Sequence, residues 1–306
     1  MQELPFTGER FTPECVREIW YEHVHRYALA RHLAPGKRVL DIACGEGYGA
    51  AIVAPVAKSV LGVDVSAEAI RHARTRYGLL PNLGFREGDA TCVDLGSEQF
   101  DLVLSFETLE HVAEQNALVA GLAKALAPGG CAMISSPDKA EYSEASGQRN
   151  EFHVRELYRD ELLELLGRHF RVVRLCGQRL RFHSAIWTLD SARSAVLAQT
   201  AQADGRFDSD AFGKPMYYVA YCAQHEQDLP ALPGLALFAD ASESVYAHYH
   251  HEIRKNMQAG TLLAEREQAL LAAEANLARV EARVRELEAA VAAKPARLRF
   301  WPFHRH

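Results

Sequence analysis

Two short stretches concentrate residues that could do chemistry. The first is Ser105-Phe106-Glu107-Thr108-Leu109-Glu110-His111, in which Glu107, Glu110 and His111 stand at i, i+3 and i+4. On a helix that spacing puts two carboxylates and an imidazole on one face, where all three can address one point. The second is Asn150-Glu151-Phe152-His153-Val154-Arg155-Glu156, which brings another imidazole, His153. Carboxylates and imidazoles can together hold a divalent cation. Alternatively, His111 or His153 can act alone as a general base. A structural role is the third reading, and the residue types alone do not choose among them.

A third stretch points to a ligand. In VLDIACGEGYGA, residues 39–50, Asp41 closes an apolar run and Gly45, Gly47 and Gly49 follow. Glycines let backbone approach a ligand and open a helix whose N-terminus faces it. Gly45-x-Gly47-x-x-Ala50 also satisfies a dinucleotide fingerprint, so the glycines leave the ligand open. Two further acids follow apolar runs, Asp64 after Ser59–Val63 and Asp89 after Leu83–Glu87.

The elements that must position these residues alternate. Helical spacing of Val16, Ile19, Trp20, Val24 and Tyr27 predicts a first helix that Pro35-Gly36 stops. Strands are expected at Arg38–Ile42, Ser59–Val63, Leu83–Glu87, Phe100–Ser105, Cys131–Ser135, Arg171–Cys176 and Tyr217–Cys222. Helices are expected at Ala50–Val56, from Ser66 as N-cap to Tyr77, at Asn116–Leu126 and at Glu156–Gly167. Strands alternating with helices imply a doubly wound α/β fold, with a mostly parallel seven-stranded sheet. The domain built from these elements would span 37–225, interrupted by an insertion at 179–215 whose centre, 185–203, reads as helical.

In order and spacing, residues 37–135 resemble class I S-adenosylmethionine (SAM)-dependent methyltransferases: Asp41 precedes the glycines, Asp64 ends the second strand and Gly88-Asp89-Ala90 follows the third. The resemblance implies SAM contacts at Asp41, Ala43, Gly45, Glu46, Gly47, Gly49, Asp64, Val65, Asp89, Ala90 and Phe106, with Asp64 on the ribose and Asp89 near the adenine. E-x-x-E-H with the later H-x-x-E is similar to small-RNA 3′-terminal 2′-O-methyltransferases, which implies Glu107, Glu110, His111 and His153 as ligands of a divalent metal (Mg, Mn, Fe or Zn). E-x-x-E-H alone also resembles ubiquinone-pathway O-methyltransferases, which act on catechols. On these resemblances His111, His153 and Glu107 carry catalysis, with metal or through a histidine base.

The N-terminal segment, 1–36, is expected to close over the site, with Arg26 and Tyr27 toward the cofactor and Tyr21, His25 and Asn150 toward the acceptor. The run FTGERFTPE…YEHVHRY…VLDIACGEGYG…SFETLEHV…FHVRELY resembles a bacterial methyltransferase group associated with surface-polysaccharide glycosyltransferases. That resemblance implies a glycan or nucleotide-sugar acceptor.

Residues 226–243 read as a linker. From 244 to 294 Leu263, Leu270, Leu277, Val284 and Val291 recur every seventh residue, with Ala273, Val280 and Leu287 three later and Arg266 the weak position. This is a coiled-coil seam, expected to join a second copy or a glycosyltransferase partner; a scaffold role through this helix is the alternative to enzyme function. The tail, 295–306, is basic and aromatic and could touch a membrane surface. A net charge of −6 argues against nucleic acid as partner. Six scattered cysteines without a CxxC pair, no signal peptide and no transmembrane run lead to the expectation of a cytoplasmic protein, at the inner membrane face if the tail makes that contact.

Overall fold

A computed structural model describes residues 18–147, 149–183, 197–202, 206–209 and 212–293. They form two units, residues 1–241 and 242–306 as divided along the chain.

In the first unit α1 (Glu18–Leu33) leads into β1 (Arg38–Ile42), α2 (Tyr48–Val53), β2 (Ser59–Asp64), α3 (Ala67–Tyr77), β3 (Leu83–Glu87) and β4 (Phe100–Ser105). Then come α4 (Gln115–Ala125), β5 (Leu126–Pro137), α5 (Arg159–Gly167), β6 (Val172–Gln178), a two-residue pair β7 (Thr200–Ala201) and β8 (Phe207–Asp208), and β9 (Tyr217–Ala223). The expected seven-stranded sheet is present, in the order β3-β2-β1-β4-β5-β9-β6. Its strands are parallel except β9, which runs antiparallel between β5 and β6.

The central strands are buried on both faces, as near-continuous apolar runs require. Val39, Leu102 and Leu104 pack with Tyr27, Ala30, Val53 and Ile70 of α1 to α3. Leu40, Ile42 and Val103 pack on the other side with Leu118, Leu122, Leu162 and Leu166 of α4 and α5. Ser66 caps α3 through its hydroxyl, which accepts from the Ala69 amide at 3.2 Å, as expected from its type and position.

Three expectations change. β5 begins at Leu126, the last residue of the expected helix, and takes in Pro128-Gly129-Gly130 ahead of the expected start at Cys131. In the insertion Thr200–Ala201 is strand, paired with β8, while 184–196 and 203–205 lie outside the described residues. Residues 226–241 belong to the first unit: Leu229 and Leu232 pack on its core, and Phe238 lies against α1.

The second unit carries α6 (Ser244–Ala292), a single helix of 49 residues. The seam residues named above are 47–70% exposed where they are large enough to count. The tail, 295–306, and residues 1–17 lie outside the described residues. No helix among the described residues is long and apolar enough to cross a membrane.

Candidate active site

The site lies along the C-terminal ends of β1, β2 and β4, where open α/β sheets bind ligands. After β1 the chain turns through Ala43, Gly45 and Gly47, all at positive φ (58°, 56° and 86°), before α2 begins. Only the glycines adopt this backbone without strain. Gly47 and Gly49 also have no room for a side chain: a Cβ would lie 2.5 Å from the Phe85 ring and 2.0 Å from the Tyr27 ring, respectively.

Asp64 ties this loop to β2. Its carboxylate accepts from the Gly45 amide at 2.8 Å and the Ser66 amide at 2.9 Å. Asp41 is fully buried, and Tyr27 Oη donates to its two oxygens at 3.1 and 3.3 Å. Burial pushes its carboxyl up to about 7, against the Tyr27 hydrogen bond that lowers it. The other groups that act on it are Asp64 and the Ala50 amide, so none of them is cationic.

Other positions expected near the cofactor do different work. Glu46 is buried and pairs with His72 at 2.9 Å and Arg76 at 3.5 Å, anchoring the loop to α3. Val65 is 69% exposed. Asp89 is exposed and folds its own turn, accepting from the Thr91 amide and hydroxyl at 2.8 and 2.7 Å. Ala90 packs at the rim of the core, and Phe106 is buried edge-on to Tyr27 at 5.0 Å.

Arg26 does not point toward the glycine loop. It is 2% exposed, its Nε donates to Gln178 Oε1 at 2.6 Å, its Nη1 meets Glu107 Oε1 at 3.2 Å, and its guanidinium lies 4.5 Å from the Tyr217 ring centre. Beside it, Tyr217 Oη donates to Glu22, whose carboxyl burial pushes up to about 7 even though Arg26 lowers it. Tyr21 and His25 face residues 226–241: His25 stacks on Phe238 at 5.4 Å and Tyr21 meets the same ring edge-on at 5.8 Å.

The E-x-x-E-H element is not one turn of α-helix. Glu107 stands at φ 49°, and only Leu109–His111 forms a short 3-10 turn. Glu107 accepts from Ser135 Oγ at 2.6 Å and pairs with Arg26, while its charge still acts on Glu110. The expected four-ligand set is thereby corrected to three. Ligand atoms of Glu110, His111 and His153 all lie within 4.8 Å of one another.

These three are brought together by backbone. The Val154 and Arg155 amides both donate to the Glu110 carbonyl, at 2.8 and 3.1 Å. Gln115, which the sequence reading passed over, is buried and clamps the same two segments by donating to the carbonyls of Leu109 and Arg155. His111 Nδ1 donates to the Phe152 carbonyl at 3.0 Å, which directs its Nε2 inward. His153 Nδ1 donates to Glu156 at 2.6 Å, so its Nε2 is the acceptor atom. Asn150, expected on the acceptor, instead donates Nδ2 to that Nε2 at 3.0 Å, a bond that a metal at Nε2 would have to replace, while its Oδ1 accepts from the Phe152 amide. Glu156 sat inside the H-x-x-E spacing but had been given no role.

Glu110 is fully buried, and neither carboxylate oxygen has a hydrogen-bond partner among the described residues beyond its own backbone. Burial, reinforced by Glu107, raises its carboxyl well above the usual carboxylate range. A buried carboxyl short of hydrogen-bond partners, with the His111 Nε2 at 3.9 Å and a second oriented imidazole beside it, is a donor set that could hold a cation: one carboxylate and two histidines.

Residues 39–130 match the family described as a methyltransferase domain. A "probable S-adenosylmethionine-dependent methyltransferase" of Mycolicibacterium smegmatis is 36% identical over 166 residues, 53% of this chain and 63% of that protein. A Mycobacterium tuberculosis protein of the same description is 35% identical over 179 residues, 57% of this chain and 64% of that protein. A ubiquinone biosynthesis O-methyltransferase of Sinorhizobium medicae is 33% identical over 122 residues, 40% of this chain and 49% of that protein. The chain thus spans less than two thirds of the length of these relatives. The segment that matches the methyltransferase domain family carries the glycine loop and five of the seven sheet strands, β1 to the start of β5.

Proposed function

We propose that this chain is a SAM-dependent O-methyltransferase that uses a divalent metal to act on a vicinal diol of a glycan or an activated sugar. The observation that carries the metal is the buried carboxyl of Glu110, whose oxygens lack a side-chain hydrogen-bond partner and lie within reach of His111 and His153. One carboxylate with two imidazoles suits Mn²⁺, Fe²⁺ or Zn²⁺ better than Mg²⁺. Glu110, His111 and His153 would hold it, and His111 and His153 are pre-oriented by Phe152 and Glu156. Three protein donors leave room for two neighbouring hydroxyls. A cation there would act as a Lewis acid, lowering the pKa of an acceptor hydroxyl.

SAM fits the glycine loop. Asp41 is a buried carboxylate that meets no cation among the groups acting on it, and SAM brings an ammonium and a sulfonium. Tyr27 holds the Asp41 carboxylate in place. Asp64 holds the Gly45 turn open. Glu107 and Arg26, through Ser135 and Gln178, link this end to the metal-binding turn.

The test is methyl transfer from SAM to a panel of sugar acceptors, before and after EDTA, with each metal returned singly. Loss of transfer with chelator and recovery with one metal is expected. A second reading has its own support: His153 Nδ1 on Glu156 at 2.6 Å is the arrangement of an oriented general base. Transfer indifferent to chelator, and preferring an aromatic acceptor, would favour that reading and remove the metal.

A further inference from the structure

The described residues bury one residue of α6, Val245, and leave the whole heptad seam exposed. About 74 Å of helix, at 1.5 Å per residue, carries that seam. The residues flanking it say what covers it. Four residues after each core position Leu263, Leu270, Leu277 and Val284 stand Glu267, Glu274, Glu281 and Glu288. One flank is therefore an unbroken column of glutamates. The opposite flank, one residue before the same core line, is neutral at Leu262, Ala269, Asn276 and Ala290 and carries one cation, Arg283.

In an antiparallel pair of such helices each flank meets its own kind, and the glutamate column would face itself along its full length. In a parallel pair each flank meets the other, so the glutamates face neutral residues and Arg283 meets Glu288 of the second helix, five residues on. Asn256 falls on the core line one heptad before Leu263. A lone asparagine at such a position satisfies its amide only against the same residue of an in-register partner, which fixes register and a two-stranded state at some loss of stability. Val284 and Val291 with Leu287 between them are the β-branched and leucine alternation that two-stranded coils favour.

We propose that α6 pairs with α6 of a second copy of this chain, parallel and in register, through the seam from Asn256 to Val291. The two chains then enter the coil at the same end, side by side. This inference stands apart from the metal and acceptor reading, because no residue of α6 takes part in it.

The experiment uses the full chain. Light scattering on an eluting peak at tens of micromolar should give twice 34.0 kDa; a single-chain mass overturns the pairing and leaves the seam to another partner. Ala259→Cys and Leu287→Cys, made singly, place a thiol on the seam at either end. Under mild oxidation each should form a disulfide-linked dimer on a non-reducing gel, with the unsubstituted chain as control. An antiparallel pair centred between them would hold like thiols about 40 Å apart, so a dimer in which neither variant cross-links overturns the parallel arrangement. Leu277→Asp should return the mass to a single chain while SAM binding by calorimetry stays within twofold. A Leu277→Asp chain that stays dimeric places the interface elsewhere and also overturns the proposal.

Discussion

The two ends of the candidate site are built on opposite terms. Around the glycine loop every acid is already engaged: Asp64 by two backbone amides, Asp41 by Tyr27, Glu46 by His72 and Arg76. At the Glu110–His111 turn the imidazoles are held from behind, but the two buried oxygens of Glu110 lack a side-chain hydrogen bond, with His111 Nε2 at 3.9 Å. The first end is complete as a folded structure and presents a shaped surface. The second is folded around a deficit that a ligand would remove. Burial of an unpaired carboxyl costs stability, so such a deficit is retained where function uses it.

The sharpest way to break that comparison is Glu110→Gln. The substitution should lower methyl transfer on the order of a thousandfold, as expected for losing a ligand, with kcat the affected constant. The metal-free chain should at the same time melt no lower than the parent, because a neutral amide costs less to bury than a carboxyl. A drop in melting temperature would mean that Glu110 is a structural acid.

Arg26→Met tests the bridge between the two ends. It leaves the Glu107 carboxylate and its Ser135 bond without the cation at 3.2 Å. A loss of about 3 kcal/mol in denaturant unfolding is expected for breaking one side of a buried pair. Pairing it with Glu107→Gln should restore part of that loss, which a double-mutant cycle reads directly.

Glu156→Gln probes the support behind His153. Metal affinity should fall about 10–100-fold, as for other groups that orient a histidine ligand, while stability barely changes. Unchanged affinity, measured by competition with a chromophoric chelator, would separate Glu156 from the site.

The smallest effect is in pH. The Asp41 carboxyl sits at about 7 in the fold against 3.8 in the open chain, so the folded state holds the proton longer. The stability from this group is therefore full below about pH 4 and is lost as the pH rises through about 7. Asp41→Asn should remove that slope and leave the similar one of Glu22, which is also raised to about 7. SAM affinity should move the other way, rising up to about tenfold per pH unit as Asp41 ionises. A flat binding profile across neutral pH would detach Asp41 from the cofactor.

Much of this molecule was legible as sequence because the signals are local. Apolar runs separated by helical spacing predict a parallel sheet wherever they fall, since a strand buried on both faces has no other place. The positive-φ loop, the Ser66 cap and the heptad line are written in a few adjacent residues. Helix ends drifted because the first and last turns are decided by packing. The linker at 226–243 was misjudged because nothing adjacent shows that Leu229, Leu232 and Phe238 find α1 and the core.

The sequence by itself determined the elements, the glycine turn and the stock of possible ligands. Only the tertiary structure decided which of those ligands meet. His153 reaches His111 across 41 intervening positions because two amides near it bind the Glu110 carbonyl, and Glu107 drops out of the set because it is engaged by Arg26 and Ser135. Spacing along a chain constrains neighbours within a turn of helix. Distances across a sheet edge are set by which backbone groups bond there, and no local pattern records that.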